Sequence, residues 1–162
     1  MTRLAQPSDI QALHRTTRTI LLVEDEDFVR NVTRDVLELN GWNVLEATDA
    51  ESALHVYREH ANSIDLLLTD VVMPGQSGLE FASSLLVSHP NLSVVFMSGY
   101  TDNPVVRAGF SDPRMHYLQK PFSLDALTAK IQHVLESSSD RSASDLLLPR
   151  RSSHERPCAV SD

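Results

Sequence analysis

Hydrophobic and polar positions along the chain follow two alternating patterns. Short apolar runs predict five buried strands, at residues 20–23, 42–46, 64–69, 94–97 and 115–118. The segments between them carry apolar residues three or four positions apart, which is typical of helices with one buried face. The predicted helices cover 27–40, a stretch opened by a capping box at 48–51, a stretch from a capping box at 77–80 to before Pro90, 102–109, and a last helix capped by Ser123. This alternation predicts an α/β fold, a doubly wound parallel sheet with right-handed crossovers.

Charge separates this patterned region from the two ends of the chain. Residues 20–136 carry 17 acids against seven bases, a balance of −10, whereas residues 1–19 carry three Arg and one Asp, a balance of +2. Neither end shows an apolar pattern that could build a core. We therefore expect a disordered leader over 1–18, a folded domain over 19–137 and a disordered tail over 138–162.

Composition excludes several classes of protein. A single cysteine, Cys158, rules out a disulfide framework and fits a reducing compartment. No apolar run is long enough to span a membrane, and the N-terminus lacks a signal-peptide core. The net charge of −8 argues against a nucleic-acid surface. We expect a cytoplasmic protein that binds neither membrane nor nucleic acid.

Polar side chains gather directly after the predicted strands. Glu24 and Asp25 follow the first strand, Asp70 the third, Ser98 the fourth and Lys120 the fifth. Ligands of such sheets bind at the carboxyl ends of the strands, where these side chains would meet. Three converging carboxylates repel one another unless a cation is present. Oxygen ligands without nearby Cys or paired His favour Mg²⁺ over zinc.

Each of these residues also has an ordinary interpretation when it is taken alone. Asp70 could cap a turn, Glu24 and Asp25 could form a solvated acidic turn, Lys120 could be an exposed lysine before a proline, and Ser98 could belong to a turn. The conjunction at one edge of a single predicted sheet favours a functional site. A carboxylate flanked by a metal, an ammonium and a hydroxyl can attack phosphorus and hold an acyl phosphate.

Four motifs in these positions resemble the response-regulator receiver domains of two-component signalling. They are Leu21-Leu22-Val23-Glu24-Asp25, the stretch from Asp70 to Gly78, Met97-Ser98-Gly99-Tyr100-Thr101 and Gln119-Lys120-Pro121-Phe122. The resemblance covers roughly residues 18–137, and the third motif is similar to receivers of hybrid sensor histidine kinases. The resemblance as a whole implies a flavodoxin-like (βα)5 sheet with strand order 2-1-3-4-5.

The resemblance also implies a role for each residue of the site. Asp70 would be the phosphoacceptor, supported by Lys120 and by Ser98, which moves toward the phosphoryl group. The Mg²⁺ ligands would be Asp25, Asp70 and the backbone carbonyl of Val72, with Glu24 in the outer shell.

The resemblance also implies roles for four further positions. Tyr117 matches an aromatic switch residue that turns inward on activation, although a half-buried strand residue with a solvated hydroxyl is an equal alternative. The bond before Pro121 would be cis. Val72 and Tyr100 match positions that tune the lifetime of the phosphoryl group. Since Val72 cannot orient a hydrolytic water, we expect a long-lived phosphoryl group.

The function implied is that of a phosphoacceptor protein. A sensor histidine kinase or a histidine phosphotransfer protein would phosphorylate Asp70 in the presence of Mg²⁺. The signal would pass to an unknown downstream protein through the face of the fourth predicted helix, the fifth strand and the last helix, which also allows a homodimer. The 26 residues after the last predicted helix are too few for an independent DNA-binding domain, so we expect none, and no enzymatic activity beyond the domain's own phosphorylation and dephosphorylation.

One other function remains open at this point, and two are disfavoured. The same face could act as an interaction module that does not depend on phosphorylation. A metal-dependent phosphohydrolase is disfavoured, because Val72 stands where a second aspartate would be expected two positions after Asp70. A flavin site is disfavoured because no Ser/Thr/Gly-rich loop follows the first strand.

Overall fold

The computed structural model describes residues 17–99 and 112–145. The five strands are β1 (Thr19–Val23), β2 (Asn43–Ala47), β3 (Ile64–Asp70), β4 (Ser93–Ser98) and β5 (Met115–Gln119). The four helices are α1 (Asp27–Leu39), α2 (Ala50–His60), α3 (Gly78–Ser88) and α4 (Leu124–Asp145). The helix predicted over 102–109 lies outside the described residues, and the helix predicted after Ser123 is therefore numbered α4.

All five strands are parallel and follow the order β2-β1-β3-β4-β5. This confirms the predicted fold class and strand order. In the register of the sheet, Val23 pairs with Thr69, Asp70 with Met97 and Ser98 with Gln119. The carboxyl ends of β1, β3, β4 and β5 therefore lie at one edge of the sheet.

The sheet separates two apolar layers because neighbouring residues of a strand point to opposite faces. On β1, Leu21 and Val23 pack in the layer beneath α2 and α3, whereas Ile20 and Leu22 pack in the layer beneath α1 and α4. The central strands are buried on both faces, which explains their continuous apolar runs.

The predicted capping boxes behave differently at the two helices. At α3, Ser77 accepts a hydrogen bond from the backbone N–H of Glu80, and the Glu80 side chain accepts from Ser77 N–H, as predicted. At α2, the prediction that Thr48 and Glu51 form the box is wrong, because Asp49 is the N-cap and pairs with Ser52.

Helix α4 continues to Asp145, which corrects the predicted start of the tail at residue 138. Two hydrogen bonds accompany the extension. The Ser138 hydroxyl lies 2.6 Å from that of buried Ser93, and Arg18 donates to the Ser139 hydroxyl at 2.5 Å. Arg18 also forms an ion pair with Asp65 at 2.7 Å, so the last residues of the predicted leader are held to β3. Residues 1–16 and 146–162 lie outside the described part of the chain.

The remaining boundaries differ from prediction by single residues. β2 begins at Asn43 instead of Trp42, which packs against the core layer of α1 and α4 instead. In the described ranges 17–99 and 112–145, no helix combines the length and the hydropathy needed to cross a membrane.

Candidate functional site

An ammonium group joins two carboxylates at the carboxyl edge of the sheet. Lys120 follows β5, and its Nζ donates to Asp70 Oδ2 at 2.7 Å and to Glu24 Oε2 at 3.2 Å. Asp70 ends β3, and Glu24 directly follows β1. The three residues are distant in the sequence, so the strand order creates the cluster. Of the three carboxylates predicted to converge, the structure therefore brings Glu24 and Asp70 together, with Lys120 between them. Asp25 is exposed and does not form a group of three acidic side chains with them in the described part of the chain.

Backbone amides hold the second oxygen of each carboxylate. Val72 N–H donates to Asp70 Oδ1 at 3.1 Å, and Glu26 N–H donates to Glu24 Oε1 at 3.3 Å. Each donor lies two residues after its acceptor, in the loop that follows the strand. Both carboxylates are thus oriented by their own loop on one side and by Lys120 on the other.

Burial and ion pairing act in opposite directions on the charged groups. Burial raises the pKa of Glu24, whose side chain is 2% exposed, although Lys120 and the Glu26 amide oppose this shift. Burial also lowers the pKa of Lys120, but the ion pairs with Asp70 and Glu24 outweigh it and the net pKa is raised. Lys120 therefore remains a cation at neutral pH and compensates the acidic edge.

The donor atoms at this edge have the chemistry that Mg²⁺ prefers. Glu24, Asp70 and the exposed Asp25 offer carboxylate oxygens, and Val72 offers a backbone carbonyl. The Lys120 ammonium occupies the point where Glu24 and Asp70 converge. No three acidic, His or Cys side chains in residues 17–99 and 112–145 are grouped closely enough to hold an ion. The donor set thus fits a magnesium ion in kind, while the carboxylates are arranged around the lysine.

Ser98 and Tyr117 are joined through a backbone carbonyl beside this cluster. Ser98 is buried at the end of β4, and its carbonyl accepts from Lys120 N–H at 2.8 Å. The same carbonyl accepts from the Tyr117 hydroxyl at 2.6 Å. Tyr117 is half-buried, but its hydroxyl is hydrogen-bonded to protein, which the solvated alternative did not anticipate. Tyr100 lies outside the described residues.

The peptide bond between Lys120 and Pro121 is cis, as predicted.

Comparison with known proteins decides the family. The family described as "Response regulator receiver domain" matches residues 20–132. The chain belongs to the response-regulator receiver family. It is a receiver domain of two-component phosphorelay signalling.

Individual relatives agree with this assignment. The receiver is 36% identical over 118 residues to the sensor kinase CckA of Brucella abortus, covering 73% of this chain and 12% of that protein. It is 33% identical over 120 residues to the aerobic respiration control protein ArcA of Escherichia coli, covering 74% of this chain and 49% of that protein. The chain thus spans half or less of the length of these two relatives.

Solved structures show the same fold. The crystal structure of the receiver domain of the hybrid histidine kinase CckA is 36% identical, with a TM-score of 0.62 over 72% of this chain and 98% of that chain. A receiver domain protein of Clostridium thermocellum is 26% identical, with a TM-score of 0.69 over 81% of this chain and 99% of that chain.

One residue of this receiver's acidic edge was not foreseen from the sequence. The Arg30 guanidinium on α1 donates to the backbone carbonyl of Glu24 at 2.9 Å and forms ion pairs with Asp27 at 2.5 Å and Glu46 at 3.6 Å. Its side chain is 13% exposed, which is low for an arginine. The signal available in the sequence was a basic residue one turn into a helix that begins directly after an acidic run.

Proposed function

We propose that Asp70 accepts a phosphoryl group from a histidine of a sensor kinase or a phosphotransfer protein, with Mg²⁺ present. The observation that carries this proposal is the Asp70 carboxylate itself, held at the carboxyl edge of the sheet by Lys120 at 2.7 Å and by Val72 N–H at 3.1 Å. An Asp70 oxygen attacks phosphorus, the bond between phosphorus and the donor imidazole nitrogen breaks, and the imidazole leaves with the electron pair and takes up a proton.

Lys120 and Ser98 serve the transferred group after attack. The Lys120 ammonium, which now pairs with Asp70, is within reach of a phosphoryl oxygen bonded to the same carboxylate. The Ser98 hydroxyl donates to another phosphoryl oxygen. Asp25, Asp70 and the Val72 carbonyl would hold Mg²⁺, with Glu24 in its outer shell. The ion supplies positive charge that stabilises the developing charge on the phosphoryl oxygens.

The signal leaves through a rearrangement that begins at Ser98. When Ser98 turns toward the phosphoryl group, the carbonyl shared by Lys120 and Tyr117 shifts, and Tyr117 turns inward. This couples the site to the face of β5 and α4, to which the sequence pattern adds the helix predicted over 102–109. A downstream protein or a second copy of the chain binds that face in the cytoplasm.

The phosphoryl group on Asp70 persists for longer than seconds. Val72 is 63% exposed, and its side chain offers only an isopropyl group, which cannot orient a water molecule for attack. The decay of phosphorylated protein after removal of the donor measures this lifetime. Complete hydrolysis within seconds in the isolated protein would contradict it.

The assignment of Asp70 is tested with a small phosphodonor and intact mass measurement. Wild type incubated with the donor and Mg²⁺ should gain one phosphoryl group, and Asp70→Asn should gain none. Asp65→Asn is the matched control, because Asp65 lies on the same strand near its other end and should leave phosphorylation intact. Equal adducts on wild type and Asp70→Asn would overturn the assignment. Signalling by Asp70→Asn in cells would favour the interaction module that does not need phosphorylation.

A further inference from the structure

The residue before Asp70 reaches forward to its backbone. Thr69 is 0% exposed, and its hydroxyl donates to the Asp70 carbonyl oxygen at 3.0 Å while lying 3.8 Å from the Met73 sulfur. A buried threonine at the end of a strand could equally be replaced by valine if packing alone mattered, because the two side chains have nearly the same shape. The hydroxyl instead holds the peptide group that links Asp70 to Val71.

The first residue of α3 also lies against this carbonyl. A Cβ added to Gly78 would overlap the Asp70 carbonyl oxygen and would lie 2.9 Å from Thr69 Oγ1. Gly78 N–H donates to the Val71 carbonyl at 3.0 Å. Only glycine leaves room for the helix to approach this closely. The carbonyl of Asp70 is thus in close contact with both the Thr69 hydroxyl and Gly78.

We propose that Thr69 and Gly78 are positioning residues that set the direction of the Asp70 carboxylate by holding its backbone carbonyl. The inference rests on the proposed role of Asp70 as phosphoacceptor. The path is short, since the peptide held by Thr69 leads into Val71 and Val72, and Val72 N–H donates to Asp70 Oδ1. Rotation of this peptide would turn the carboxylate away from Lys120. Neither residue touches the phosphoryl group.

The test uses a pair of variants that separates the hydroxyl from the packing. Thr69→Val keeps the shape and removes the donor, whereas Thr69→Ser keeps the donor. With a small phosphodonor and Mg²⁺, Thr69→Val should lower the maximal phosphorylation rate on the order of tenfold with little change in the half-saturating donor concentration. Thr69→Ser should restore the rate to within about twofold of wild type. The Val72 amide signal in NMR spectra of the unphosphorylated protein should shift in Thr69→Val only.

Thr33→Val is the matched control, because Thr33 is also buried but lies on α1 away from Asp70. It should keep the wild-type rate when all variants are measured at a temperature where they are folded. A wild-type rate in Thr69→Val, or an equal loss in Thr69→Ser, would overturn the proposal. If wild type itself gained no phosphoryl group, the assignment of Asp70 would fail instead, so the two failures are distinguishable.

Discussion

The ammonium of Lys120 lies 2.7 Å from a carboxylate oxygen of Asp70, although the two residues are 50 positions apart in the sequence. The strand order brings them together, because β4 lies between their strands and both side chains emerge at the same edge. The same ammonium also contacts buried Glu24. Lys120 is therefore the counter-charge of the acidic edge.

Removal of this counter-charge should destabilise the protein in a way that depends on pH. In Lys120→Gln, Glu24 keeps its burial and loses its cation, so its pKa rises further above the ordinary 4.5. The folded state then holds a proton that the unfolded state releases, and stability falls as pH rises from about 5 to 7. We expect a loss on the order of 2 kcal/mol at pH 7, measured by urea unfolding.

Lys130→Gln is the control for this experiment, since it removes the other lysine of the chain, on α4. It should change stability little at either pH. An equal loss for Lys120→Gln at pH 5 and pH 7 would show that the ion pair with Glu24 is not its cause.

The hydrogen bond between the Tyr117 hydroxyl and the Ser98 carbonyl should stabilise the protein and should change when Asp70 is phosphorylated. Tyr117→Phe removes a hydrogen bond of 2.6 Å and should lower the free energy of unfolding by about 1 kcal/mol.

In wild type with ring-labelled tyrosine, the NMR signal of Tyr117 should shift on phosphorylation. Ser98→Ala should be phosphorylated without that shift. An identical shift of the Tyr117 signal in wild type and in Ser98→Ala would show that Tyr117 responds to phosphorylation independently of Ser98.

Tyr57 provides a prediction at alkaline pH. Burial raises the pKa of its phenol to about 12. Above pH 10 the unfolded state loses this proton and the folded state keeps it, so stability falls as pH rises from 10 toward 12. Between pH 10 and 11, wild type should lose on the order of 1 kcal/mol more than Tyr57→Phe. Folded wild type and folded Tyr57→Phe should show the same phenolate absorbance at pH 11. Additional absorbance in wild type would show that Tyr57 is ionised and would contradict the raised pKa.

The extension of α4 should contribute to stability. A chain ending at Ser137 lacks the contacts of Ser138 with Ser93 and of Ser139 with Arg18. Its free energy of unfolding should be roughly 1–2 kcal/mol lower than that of a chain ending at Asp145. Equal stability of the two chains would place the boundary of the domain at 137, where the sequence pattern put it.

Much of the fold could be predicted because the strands of a doubly wound sheet are buried on both faces. The apolar runs of β1 and β4 are therefore visible without any contact information, and the polar residues that follow them mark the functional edge. The proximity of Glu24, Asp70 and Lys120 followed from this placement and the strand order, whereas the ion pair of Glu24 with Lys120 is seen only in the structure.

The predictions that were wrong or missing concern features that depend on contacts between distant segments, or on which of two adjacent residues caps a helix. Serine is a weaker helix former than Ala, Leu or Lys, so the sequence gives little sign that α4 continues through its serines. The contact of Ser138 with Ser93, which accompanies the longer α4, joins residues 45 positions apart and could not be anticipated. At α2, Thr48 and Asp49 are both suitable caps, and only the backbone shows that Asp49 precedes the first turn. The half-buried position of Arg30 also depends on the packing of α1 against β2.

The central claim, that Asp70 carries the phosphoryl group, is tested most directly by trapping the acyl phosphate. Hydroxylamine attacks the acyl carbon of an aspartyl phosphate, releases inorganic phosphate and leaves a hydroxamic acid on the same residue. After incubation with a small phosphodonor and Mg²⁺, treatment with hydroxylamine and digestion, peptide mass spectrometry should find the hydroxamic acid on Asp70. A hydroxamic acid on Glu24 or Asp25, or none in a protein that has gained a phosphoryl group, would contradict the account.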